Sequence, residues 1–227
     1  SEGFETGTSG DAILAGLDRV LVKSNSGSQD KRIHAVWYVI RWSDRRFESA
    51  QQAFVSAISA LGLPVIIVMS QVPVLQRDGL WEIHPEARAF AKYIESLNLP
   101  TFGDGEVFMT NAIPDSFSGT VVYGLQELLD ATYEVVPLAA QSALTAAQSV
   151  DGARKKDAAA AVIKQATVAA TGIGAIPIPV ADAALLVPNQ VAMIARITAI
   201  YGLPRSRART MSIAGGAILT GGATYAG

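Results

Sequence analysis

Two short apolar runs separated by a helical repeat, between Ile33 and Val72, constrain what this chain can fold into more than anything else in it. Ile33-His34-Ala35-Val36-Trp37-Tyr38-Val39-Ile40 and Pro64-Val65-Ile66-Ile67-Val68-Met69-Ser70 are almost unbroken in apolarity and rich in β-branched and aromatic residues. The pattern predicts strands buried on both faces of a parallel sheet rather than strands with one wet face. Between them Phe47, Ala50, Phe54, Val55, Ile58 and Leu61 recur at steps of three and four, so one face of a crossover helix covers the sheet. The unit is β-α-β, and its crossover is right-handed. Ligands of open parallel sheets sit beyond the carboxyl ends of the strands, which directs attention to Arg41-Trp42-Ser43 and to Ser70-Gln71-Val72-Pro73.

The rest of the first 140 residues continues the alternation. Asp11 to Val22 carries Ile13, Leu14, Leu17, Val20 and Leu21 on one helical face, with Asp11 as a cap. Pro73 to Leu80 reads as a loop with a Gly turn, Pro85 to Leu97 as a helix, and Glu106 to Thr110 as a third strand ending in Thr110-Asn111-Ala112. Gly119 to Val136 reads as a helix stopped by Pro137. Helix and strand in strict alternation make an α/β layer. Beyond Gln141 the alternation stops. Ala158 to Ile176, Val180 to Tyr201 and Arg205 to Ala226 are Ala-rich helical segments, the first two joined by Ile176-Pro177-Ile178-Pro179. The expected organisation is an α/β domain over 1–140 followed by an all-α domain over 141–227.

Charge and aromatic content divide the same way. Residues 1–150 carry 10 Lys/Arg against 17 Asp/Glu, a balance of −7, whereas residues 151–227 carry 8 against 3, a balance of +5. Every Trp and Phe precedes Val150. The absence of cysteine rules out disulfides and thiolate chemistry and fits a reducing cytoplasm. No candidate span is convincingly transmembrane, because Lys164, Asp182 and Arg196 interrupt the apolar helices.

Three phrases carry a family resemblance. Ser1-Glu2-Gly3 looks like the end of an Asp-x-x-Gly motif, Ser70-Gln71-Val72-Pro73 stands where an Asn/Thr-Lys-x-Asp motif reads guanine, and Thr110-Asn111-Ala112 stands where a Ser-Ala-x motif supports the base through backbone N–H groups. With the strand His34 to Ile40, these resemble the Era-like branch of the TRAFAC-class P-loop GTPases. Ile173-Gly174-Ala175-Ile176-Pro177-Ile178-Pro179, Ala181-Asp182 and Ile200-Tyr201-Gly202 resemble the uncharacterised hydrophobic helical domain that follows the G domain in one branch of them.

The resemblance implies a partial P-loop GTPase-like three-layer sheet and a parent protein that binds and hydrolyses GTP or another nucleoside triphosphate with Mg²⁺. It implies nucleotide contacts at Gly3, Ser70, Gln71, Thr110, Asn111 and Ala112. Two departures qualify it. No Gly-x-x-x-x-Gly-Lys-Ser/Thr phosphate loop occurs in the sequence, so the first strand, phosphate loop and switch I are expected upstream of Ser1, and this chain alone is expected not to bind nucleotide. Pro73 takes the place of the guanine-pairing aspartate and has neither a carboxylate nor an N–H. Phe4 follows the Gly where Ras-type GTPases place a water-orienting Gln. The rival reading is a non-catalytic interaction module with a degenerate G domain.

Other candidates carry less. His34 and His84 are too far apart in sequence for one metal site at helical spacing, and no Gly-x-Ser-x-Gly elbow is present. Arg41, Asp44, Arg45 and Arg46 follow the first strand, where a solvated loop paired to nearby acids is favoured over a phosphate contact. Arg154, Lys155 and Lys156, with Arg205, Arg207 and Arg209, flank the Ala-rich helices and are suited to an anionic membrane surface or a protein partner. Nucleic acid is not expected, because no aromatic platform accompanies them. The expected location is the cytoplasm, peripheral to the inner membrane.

Overall fold

The computed structural model describes residues 15–16, 19–20, 22, 32–77, 80–114, 119–174 and 181–203. The chain divides into two compact units, residues 1–140 and 141–227.

In the first unit a parallel sheet has strand order β1-β2-β5, formed by β1 (Val36–Arg41), β2 (Val65–Ser70) and β5 (Val107–Met109). Between them run α1 (Ser49–Ala60), an antiparallel hairpin of β3 (Val74–Arg77) and β4 (Leu80–Ile83), and α2 (Pro85–Glu95); α3 (Leu125–Val135) follows β5. The described residues 15–16, 19–20 and 22 are helical, inside the expected Asp11 to Val22 helix.

β2 is the core of the sheet. Val65, Ile67 and Met69 face α1 and α2, where Val55, Ile58, Ala87, Ala91 and Ile94 are buried; Ile66 and Val68 face α3 at Leu128 and Ala131. Fully burying each such side chain stabilises by roughly 1.5–3 kcal/mol.

β1 corrects the expectation of burial on both faces. Ile40 is buried with Tyr38 beside it, but Trp37 and Val39 on the α3 face are 48% and 54% exposed. Among the described residues the strand lies at the edge of the sheet, and Trp37 Nε1 donates to Thr132 Oγ1 of α3 at 3.0 Å. Apolar composition reports strand propensity as well as burial, and an edge strand keeps the first without the second.

The expected loop from Pro73 to Leu80 is instead the β3-β4 hairpin, its register running from Val74↔Ile83 to Arg77↔Leu80. The helix expected from Gly119 begins only at Leu125, because Gly124 has φ +74 and Asn111 pairs with Tyr123 in an antiparallel bridge. α2 is started by His84, whose Nδ1 accepts the Glu86 N–H at 3.3 Å, with Pro85 in the first turn.

The second unit holds α4 (Leu138–Ala147), α5 (Gly152–Gly174) and α6 (Ala181–Ile200). α4 is not among the helices expected from the sequence. Its connection to α5 is built by Asp151, whose Oδ1 accepts the Arg154 N–H at 2.8 Å while Gln148 holds the Asp151 N–H and C=O through its amide. Ala159 and Val162 are the buried positions among the described residues of α5, and Asn189 of α6 donates from Nδ2 to the Ala166 carbonyl at 2.9 Å. Pro188 sits inside α6, where the ring removes one intrahelical donor. The expected third helix, Arg205 to Ala226, and the Pro177-Pro179 connection lie outside the described residues. No helix among the described residues is long and apolar enough to cross a membrane.

Candidate functional site

The carboxyl ends of β2 and β5 are adjacent because the two strands pair directly, with Met69 opposite Met109. The residues named from sequence at those ends, Ser70, Gln71, Thr110, Asn111 and Ala112, are therefore brought to one rim. Gly3 lies outside the described residues.

At the end of β2 the chain turns sharply. Ser70 Oγ donates to the Ile40 carbonyl at 3.4 Å, and Gln71 takes the left-handed conformation at φ +57 with its side chain exposed. For a residue with a Cβ that conformation costs about 1–2 kcal/mol, so the surrounding bonds must hold it. They are identifiable. Val72, fully buried, donates its N–H to the Thr110 carbonyl at 3.2 Å, and its own carbonyl accepts the Tyr123 hydroxyl at 3.0 Å. Pro73 follows at the root of the hairpin, its carbonyl accepting the His84 N–H at 3.1 Å.

At the end of β5 the polar groups are committed inward. Thr110 is buried and gives both its N–H (2.8 Å) and its hydroxyl (3.4 Å) to the Met69 carbonyl. Asn111 exchanges backbone bonds with Tyr123, and its Nδ2 donates to the Ile113 and Val121 carbonyls at 2.6 and 3.0 Å. Ala112 is exposed. Thr110 and Asn111 thus form the frame, whereas Gln71 and Ala112 face outward. The sequence resemblance has Ser70 and Gln71 read the base and Thr110, Asn111 and Ala112 support it through backbone N–H groups; the Thr110 and Asn111 N–H groups are instead bonded to the Met69 and Tyr123 carbonyls.

Two residues missed from sequence hold this rim together. Tyr123 joins the β2 and β5 ends through its hydroxyl, and burial pushes its phenol up to about 12. Gly124 passes beneath the end of β5, where an added Cβ would collide with the Met109 carbonyl and come within 3.1 Å of Thr110 Cα. The signal available was the Tyr-Gly pair just before a helical repeat, since Gly is the residue that enters a helix at positive φ.

Beyond β1 the short 3-10 turn Trp42–Asp44 starts a second cluster. The buried Trp42 ring stands 5.8 Å from the His84 ring, and the Arg45 guanidinium lies 4.7 Å from its centroid while bonding Glu86 at 2.9 Å. Arg41 bonds Asp44 at 3.0 Å, and that hydrogen bond holds the exposed Asp44 carboxyl below its usual value. These pairs make a solvated loop satisfied by nearby acids. Exposed pairs of this type stabilise little.

No group of three or more His, Asp or Glu among the described residues is placed to hold a metal, and Asp44 and Glu86 are bonded to Arg41 and Arg45.

In the helical unit, Arg154 bonds Asp151 at 3.3 Å and Lys155 Nζ donates to the Ala146 carbonyl at 3.1 Å, so two of the three basic residues at the start of α5 hold the α4-α5 turn. Lys156 is exposed. Arg205, Arg207 and Arg209 lie outside the described residues.

No curated protein and no solved structure matches the chain. Residues 138–223 match the family described as a domain of unknown function, DUF697, which is found in some GTPase-associated proteins, so the helical unit is similar to that domain.

Proposed function

We propose that the α/β unit is the base-side part of a nucleoside-triphosphate-binding domain of the GTPase type, and that the helical unit couples it to a membrane surface or a protein partner. The observation that supports this reading is the rim at the β2 and β5 carboxyl ends. Two adjacent parallel strands end in loops locked to each other by the Val72 N–H to Thr110 bond and the Tyr123 hydroxyl, with Gln71 presented outward from a strained backbone position. Open parallel sheets bind ligands at such ends, and backbone strain of this kind gathers at functional sites. The similarity of residues 138–223 to a domain found in some GTPase-associated proteins points the same way.

The rim supplies shape and an amide, but no phosphate-binding loop and no carboxylate for guanine. Phosphate contacts carry most of the affinity at helix N-termini and Gly-rich loops. Hydrolysis in this reading belongs to a protein containing those elements as well. Isothermal titration of this chain with Mg²⁺-GTP is the test: binding weaker than micromolar agrees with a base-side role, and micromolar or tighter binding shows that the phosphates are held by residues assigned no such role here.

The rival, a non-catalytic interaction module with a degenerate G domain, draws support from two observations. Pro73 is engaged in the hairpin root, and the Thr110 and Asn111 donors are spent inside the protein. Nucleotide-induced changes at Gln71 separate the readings, since only the first requires them.

A further inference from the structure

We propose that the rim at the β2 and β5 carboxyl ends does not select guanine, and that it takes nucleoside triphosphates with different bases about equally. The inference rests on the nucleotide-binding reading above and names the substrate class of that site.

Two four-residue stretches, 70–73 and 110–113, supply the groups at this rim, and the Val72 N–H to Thr110 bond holds them side by side. Neither contains a carboxylate. Ser70 gives its hydroxyl proton to the Ile40 carbonyl, Thr110 gives its own to the Met69 carbonyl, and Asn111 Nδ2 donates to the Ile113 and Val121 carbonyls. Pro73 has no N–H, and its carbonyl accepts the His84 N–H. Gln71 is the one exposed polar side chain of the two stretches. Its backbone is set in the left-handed region next to the fully buried Val72, so the carboxamide is presented from a fixed point and adjusts by its own rotation.

A carboxamide sets one acceptor beside one donor. Each nucleobase offers the complement on its pairing edge. Adenine and cytosine place an amino N–H beside a ring nitrogen, whereas guanine and uracil place a ring N–H beside a carbonyl. A half-turn of the amide matches either order, so Gln71 can pair with any of them and favours none. A carboxylate has two acceptors, and among these bases only guanine presents a ring N–H and an amino N–H side by side to meet them.

The neighbours of Gln71 add contact rather than identity. Ile113 is 72% exposed and Val121 38%, and the Asn111 amide draws the two together beside Ala112 by bonding both their carbonyls. Apolar side chains pack on the flat face of a base, and every base has one.

Titration of the full 227-residue chain with GTP, ATP and CTP to millimolar concentration, followed in a ¹H-¹⁵N correlation spectrum at the Gln71 side-chain NH₂ and the Ala112 and Ile113 amides, tests this. The expected result is that all three nucleotides shift the same signals with apparent affinities within about threefold of one another. Gln71→Glu is expected to raise the GTP to ATP affinity ratio at least tenfold; its added charge repels the triphosphates of both equally, so the ratio reads the base alone. A tenfold or larger preference of the unsubstituted chain for one base overturns the proposal and leaves the base-side reading standing. An unchanged ratio in Gln71→Glu overturns it as well, because Gln71 then does not meet the base edge. Signals that no nucleotide moves overturn both the proposal and the reading beneath it. The three-nucleotide comparison on the unsubstituted chain decides the matter if the variant fails to fold.

Discussion

Replacing Gly124 by Ala should cost far more than replacing Gly62, although both glycines have nearly the same backbone, φ +74 and φ +80. At Gly62 an added Cβ meets nothing within 4 Å. Its loss is that of placing an L-residue in the left-handed region, about 1–2 kcal/mol, partly offset by a stiffer unfolded chain. At Gly124 the same term applies, and the Cβ also meets backbone: the Met109 carbonyl group, with its carbon at 3.1 Å, and Thr110 Cα at 3.1 Å. Backbone cannot rotate aside as a side chain does, so the end of β5 must move. Overpacking of that kind costs typically 1–3 kcal/mol more. Urea unfolding followed by tryptophan fluorescence reports on the α/β unit alone, because Trp37, Trp42 and Trp81 all lie in it. The difference between the two variants should be about 1–3 kcal/mol, and Gly124→Ala should loosen the Val72 to Thr110 bond, seen as faster exchange of the Val72 amide. Equal losses at the two sites would refute the claim that β5 rests on Gly124.

Further consequences can be checked separately. Burial raises the Tyr123 phenol from 10 to about 12, so the folded state keeps its proton between those values while the unfolded state releases it; the Tyr123 contribution to stability should be constant below pH 10 and be lost as pH rises toward 12. Tyr123→Phe should remove part of that alkaline loss, leaving the part due to Tyr38, which burial also raises; an unchanged slope would show that Tyr123 is not linked to folding. Co-sedimentation of the chain with phosphatidylserine vesicles should exceed that with neutral vesicles and weaken with salt, since each basic residue near an anionic surface adds about 1 kcal/mol. Salt-resistant binding to neutral vesicles, or none to either, would sink the electrostatic coupling. In a protein that also carries a phosphate loop, Pro73→Asp should raise GTP preference over ATP by roughly tenfold or more, because a charged hydrogen bond contributes about 1.5–3 kcal/mol; an unchanged ratio of affinities would show that Ser70 to Pro73 does not read the base.

The sequence made β2 and its helices legible because Val65 to Met69 is apolar without interruption and both sheet faces are covered there. The same reasoning overreached at β1. Trp37 and Val39 favour a strand whether or not anything covers them, so composition alone could not tell an edge from a centre. The β3-β4 hairpin was legible in principle, since Asp78-Gly79 between Val74-Leu75-Gln76-Arg77 and Leu80-Trp81-Glu82-Ile83 is a strong hairpin signal. The expectation of a loop with a Gly turn finds the turn but not the strands on either side of it. α4 was missed because Leu138 to Ala147 is Ala-rich with a weak apolar stripe, and helices of that kind take their order from packing.

At the rim, position was legible and chemistry was not. Strand ends locate Ser70, Gln71, Thr110, Asn111 and Ala112, but the partners of the Asn111 amide, Ile113 and Val121, are set by a loop whose path no local pattern predicts. For the same reason Tyr123 was invisible as a latch: its acceptor, the Val72 carbonyl, is 51 residues away in sequence.

The central claim is that Gln71 and Ala112 face a nucleotide base across the ends of β2 and β5. A ¹H-¹⁵N correlation spectrum of the chain titrated with millimolar GTP and, separately, with ribose triphosphate lacking a base tests it most directly. The account predicts that GTP shifts the Gln71 backbone amide, its side-chain NH₂ and the Ala112 amide, that Thr110 and Asn111 move less because their donors are held internally, and that the base-free compound leaves all of them in place. Shifts that are absent from Gln71 and Ala112 at millimolar GTP, or that the base-free compound reproduces, would contradict it.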